Sequence, residues 1–129
     1  MNNKKDRRPL SPHLTIHKKV QPAVLSIIHR ITGFGLSFGL LVAAIWIFLL
    51  AMGENYFSIT YYFFSTLLGK LFIFLFMFAI SYHLINGIRY LLWSIGYGIN
   101  MKNIYLSGYI VIIISTIATI QFWILIFYN

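Results

Sequence analysis

Residues 26–52 read SIIHRITGFGLSFGLLVAAIWIFLLAM, and from Ile31 to Met52 no side chain carries a charge. An α-helix needs roughly 20 apolar residues to cross the hydrocarbon core of a bilayer, so this stretch predicts a membrane span. Two further runs, from about residue 63 to 93 and from about 104 to 128, are also long enough. All three are continuously apolar rather than alternating. A helix satisfies its own backbone hydrogen bonds in lipid, so the pattern favours helices over a β-barrel. The expected fold is all-α: three transmembrane helices, over about 22–52, 63–93 and 104–128, forming a bundle.

Composition agrees with that class. Of 129 residues, 60% are hydrophobic and 19% aromatic, and the mean hydropathy is +0.82. A chain this short could form only one small domain in water, whose core could not hide so much apolar surface. Cysteine is absent, which excludes disulfides, thiolate metal sites and cysteine nucleophiles.

The formal net charge is +8, but it is unevenly spread: Lys4, Lys5, Arg7, Arg8, Lys18, Lys19 and Arg30 all lie in the first thirty positions. Basic segments beside a span stay on the inner side of the membrane, so this is a topology signal rather than a nucleic-acid surface. Pro9, Pro12 and Pro22 punctuate the start. Residues 1–21 are therefore expected to be an inner-side interfacial segment without a cleavable signal, with Pro22 in the first turn of the first helix. The stretch GENYFSITYY, 53–62, has no Lys or Arg and several aromatic residues, and reads as an outer loop. YGINMKN, 97–103, carries Lys102 and returns the chain to the inner side. The N-terminus is thus expected inside and the C-terminus outside.

Polar residues gather at the inner ends of the first two spans. Ser26, His29 and Arg30 are spaced i, i+3, i+4, which places them on one side of the first helix. In the second, His83, Gly87 and Tyr90 follow at i, i+4, i+7, with Asn86 and Arg89 beside them. At 1.5 Å per residue, His83 lies on the order of 9 Å below an interface marked by Arg89, deeper than His29 and Arg30. An arginine at a helix entrance also serves as a headgroup anchor, and a membrane histidine as an interhelical hydrogen-bond partner. Two costly polar clusters in the same half of one membrane nevertheless point to a shared ligand, a cofactor or a quinone. A deep histidine suits haem iron, and a glycine four residues on leaves room for a macrocycle.

The segments SPHLTIHKK (11–19), SIIHRITG (26–33) and YHLINGIRYLLW (82–93) resemble, in this order, the motifs of the larger, cytochrome b membrane-anchor subunit of succinate dehydrogenase, complex II. The resemblance covers about residues 9–97. It implies a subunit with no catalytic residue of its own for succinate, docked to a flavoprotein with FAD, an iron–sulfur subunit and a second small membrane anchor. It implies haem b shared with that anchor, with His83 as an axial ligand of the iron and His29 and Arg30 near the propionates. Ser26 and Arg30 are implied to bind the quinone. The membrane would be a bacterial cytoplasmic membrane or a mitochondrial inner membrane. A fumarate reductase anchor running in reverse and a haem-free structural anchor are the alternatives. The sequence departs from the family pattern at His17, Tyr90 and Ser94, where a tyrosine, a histidine and an aspartate are usual.

Overall fold

The computed structural model describes residues 20–128. The interfacial segment expected over residues 1–21, with His13 and His17, lies almost wholly outside the described residues. Four helices follow: α1 (Gln21–Ala51), α2 (Glu54–Ser65), α3 (Leu67–Ser94) and α4 (Met101–Phe127), with no strand among the described residues. Helices α1, α3 and α4 hold 31, 28 and 27 residues and are apolar enough to cross a membrane. At 1.5 Å per residue they reach roughly 40–46 Å, beyond the hydrocarbon core alone. Pro22 stands in the first turn of α1, as expected of a residue with no N–H to satisfy.

The expected outer loop is the main correction. Gly53 breaks α1 at φ 111°, a value that side chains disfavour, and the chain then re-enters a helix at Glu54. Glu54 sits in the first turn of α2, where its charge faces the positive end of the helix dipole. Thr66, in an extended conformation, ends α2 and starts α3; its hydroxyl accepts from the Gly69 N–H at 3.1 Å. Gly69 is required at this corner, because a Cβ there would collide with the Phe63 carbonyl. The second span therefore begins at Leu67 rather than near residue 63.

Between α3 and α4 the chain turns with a Schellman closure. Gly96 adopts φ 79°, its N–H bonds to the Trp93 carbonyl, and the Tyr97 N–H reaches back to Leu92, both at 2.9 Å. The short connection makes α3 and α4 an antiparallel pair, and α1 packs against both.

The interior is small and polar. Leu25, Tyr82 and Val111 are its buried hydrophobic residues, alongside Thr32, Ser81, Asn86, Arg89, Ser115 and Thr119. Large apolar side chains such as Ile27, Phe34, Ile88 and Ile113 face outward instead. Lipid is as apolar as leucine, so helix association rests on close packing and polar contacts. Glycines provide the close packing: Cβ atoms at Gly39 and Gly108 would meet Phe76 and Leu25. Ser115 and Thr119 return their hydroxyls to Val111 and Ser115 carbonyls at 2.6 and 2.7 Å, and so bury no free donor.

Candidate functional site in the α1–α3 seam

Ser26, His29 and Arg30 share the first turns of α1 but not one environment: Ser26 and His29 are half-buried, and Arg30 is exposed. His29 turns into the seam between α1 and α3. Its ring stacks on that of His83, with centroids 3.9 Å apart and planes within 6°, and meets Tyr90 edge-on at 5.1 Å. The two imidazoles are therefore at one level, not at the different depths inferred from sequence. His29 also occupies the space beside Gly87, whose missing Cβ would lie 3.8 Å from its Cε1.

His83 lies against the backbone of α1 because Gly33 has no side chain; a Cβ there would be 2.8 Å from Cε1 of the ring. Both polar contacts of the imidazole are made by Nδ1, at 3.2 Å from the His29 carbonyl and 3.3 Å from Thr32 Oγ1. Thr32, which is 8% exposed, donates its own hydrogen to the same carbonyl at 2.9 Å. The seam also holds unpaired groups. His29 Nδ1 and the Tyr90 hydroxyl are buried without a hydrogen-bond partner among the described residues, as is Asn86 Nδ2 deeper in the bundle. Native interiors leave few such atoms, so each is a demand for a partner.

Arg89 does not mark the interface. It is 4% exposed and clamps α3 to α4: Nε donates to Ser107 Oγ at 2.9 Å and the terminal nitrogens to Asn86 Oδ1 and the Ile104 carbonyl at 3.1 and 2.8 Å. Its guanidinium carbon also lies 4.1 Å from the centroid of Trp93. The clamp was missed in sequence because a basic residue five positions from a helix end reads as a headgroup anchor. Asn86 at i−3 and a serine in the first turns of α4 were the available signals. Ser94, one of the departures from the family pattern, is exposed and bonds to the Leu91 carbonyl at 2.7 Å.

Two grooves of about 350 and 360 Å³ lie elsewhere, one along α3 and α4 beside Arg89 and Trp93, the other between Ala43, Phe72 and Phe76. Neither is lined by Ser26, Arg30 or His83. Among the described residues no three His, Cys, Asp or Glu side chains converge.

Three helices long and apolar enough to span, a polar seam with a stacked histidine pair, and apolar outer faces define a small integral membrane protein. The sequence matches, over residues 4–122, the family described as succinate dehydrogenase/fumarate reductase transmembrane subunit. The chain belongs to that family. It is 40% identical over 119 residues to the succinate dehydrogenase cytochrome b556 subunit of Rickettsia bellii and 37% identical over the same length to that of Rickettsia prowazekii, in each case covering 92% of this chain and 93% of the relative. It is also 37% identical over 121 residues to the mitochondrial succinate dehydrogenase cytochrome b560 subunit of Mus musculus, covering 91% of this chain and 70% of that one.

Proposed function

We propose that the chain is the cytochrome b anchor of a succinate:quinone oxidoreductase, in a bacterial cytoplasmic or mitochondrial inner membrane. With a second small anchor it docks the flavoprotein and the iron–sulfur subunit, and it contributes to a haem b pocket and to the site of quinone reduction. The relatives named above are succinate dehydrogenase subunits, which supports succinate oxidation over the reverse direction.

The observation that carries the haem assignment is the setting of His83. Its Nδ1 is engaged by α1, which leaves Nε2 as the nitrogen for iron, and two unpartnered polar atoms, His29 Nδ1 and the Tyr90 hydroxyl, lie in the same seam. This donor set fits the group: His83 would hold the iron together with a residue of the other anchor, and His29 with Arg30 would hold the propionates. Haem b, when bound, supplies a one-electron redox centre within the membrane. Ser26 donates to a carbonyl oxygen of the quinone, and Arg30 stabilises the negative charge that develops as the ring is reduced. Succinate chemistry belongs to the flavoprotein.

A reduced-minus-oxidised spectrum of the purified complex tests the assignment. Wild type should show b-type bands and His83→Ala should lose them or change its axial ligation. A variant with full-intensity bands and unaltered ligation removes His83 from the iron.

A further inference from the structure

We propose that Thr32 is a positioning residue for His83: together with the His29 carbonyl it selects the Nδ1–H tautomer of the imidazole and sets the donor strength of Nε2. The inference rests on the reading of His83 as a haem ligand and assigns a role to a threonine that this reading leaves unused.

Hydrogen counting decides the tautomer. A neutral imidazole carries one N–H, and which nitrogen bears it is decided by the neighbours of each. Two oxygens face Nδ1, the His29 carbonyl at 3.2 Å and Thr32 Oγ1 at 3.3 Å. The carbonyl can only accept. The hydroxyl has a single hydrogen, which it donates to that same carbonyl at 2.9 Å, and it therefore turns a lone pair toward the ring. Nδ1 thus meets two acceptors and must be the donor. The opposite tautomer would set an unprotonated Nδ1 against the carbonyl lone pair in a half-buried seam, where such a clash is only weakly screened. Nε2 is left with its lone pair free.

The rest of the local structure supports the same end. The i−3 back-bond of Thr32 is made within α1, so the acceptor pair is fixed by the helix rather than by a mobile side chain. Gly33 lets the ring lie flat on that helix, and His29 covers its other face at 3.9 Å. The imidazole is bounded on both faces and pinned at Nδ1. A hydrogen bond from the distal N–H of a metal-bound histidine to an oxygen raises ligand basicity and holds the ring orientation, so removing one acceptor weakens donation to iron and favours the ferrous state.

The test uses the whole complex carrying Thr32→Val, which keeps the side-chain shape, Thr32→Ser, which keeps the hydroxyl, and Gly33→Ala, which pushes on Cε1. Haem stoichiometry, midpoint potential and the low-spin haem signals in electron paramagnetic resonance are measured for each. Thr32→Val should retain haem, shift the potential to a more positive value and move the signals; Thr32→Ser should restore both to wild type. Gly33→Ala should move the signals with the hydroxyl intact, and it tests ring positioning even if the valine variant does not assemble. A haem-replete Thr32→Val with wild-type potential and signals, a Thr32→Ser that behaves as the valine variant, or a Gly33→Ala with unaltered signals overturns the inference while leaving His83 as ligand. Loss of the His83 assignment itself is read separately: b-type bands that survive His83→Ala, or are absent from wild type, remove both.

Discussion

Successive residues of an α-helix point about 100° apart, so His29 enters the α1–α3 seam while Arg30 stays exposed on the outside of α1. A headgroup anchor at position 30 needs only a positive charge, whereas a quinone-site residue needs the planar fork that holds two acceptors. Arg30→Lys separates the two. The variant should assemble and reduce an artificial dye that takes electrons upstream of the quinone, yet lose quinone reductase activity, with Ser26→Ala a milder version. Loss of one charge-assisted bond in a dry site corresponds to about 1.5–3 kcal/mol, or roughly ten- to a hundredfold in rate. Equal retention of both activities returns Arg30 to the role of an anchor. At this scale the sequence was legible only in part: the i, i+3, i+4 spacing placed Ser26, His29 and Arg30 in the first turns of one helix, but the side they were expected to share is not one environment. It was not legible where a partner helix decides. The stacking of His29 on His83 and the pairing of Thr32 with Nδ1 depend on how α1 and α3 approach, which Gly33 permits but does not announce.

Helices α3 and α4 are joined by more than surface fit. Ser107 receives the Arg89 Nε–H, and the Ile104 carbonyl receives a terminal N–H of the same guanidinium, a spread of donors held in one rigid plane that the single nitrogen of a lysine does not reproduce. Ser107→Ala should lower stability by about 1.5–3 kcal/mol, the range for a lost hydrogen bond to a charged group, and Arg89→Lys by more, because it leaves several buried acceptors unpaired. Thermal unfolding of the solubilised complex measures both against Ser94→Ala, whose side chain is exposed; losses no larger than that control contradict the clamp. The long apolar helices were readable from hydropathy alone. Helix α2 was not. Its sequence ENYFSITYYFFS is rich in aromatic and β-branched residues with low helix propensity, and its packing against α1 and α3, including Trp46 against Phe57 at 5.9 Å, overrides that preference although none of its residues is fully buried.

For the whole molecule the basic N-terminal segment sets the expected orientation, and the absence of cysteine provides a clean way to test it. Single cysteines placed at Asn55 in α2 and at Ile99 in the α3–α4 turn, both exposed positions, should react with a membrane-impermeant maleimide from opposite sides. Position 55 should label from the outside and position 99 from within; labelling in the reverse sense inverts the topology. The Arg89 clamp also bears on how the chain first enters the bilayer. A cation within a lone span raises the cost of release into lipid by a few kcal/mol, while the same group already paired with a following helix does not. The partners of Arg89 lie on α4, at Ser107 and Ile104, and become available only once that helix has been synthesised. The clamp thus predicts that α3 is retained at the insertion machinery until α4 joins it and that the two leave for the lipid as a hairpin; crosslinks from α3 to that machinery that are lost before α4 is synthesised contradict it.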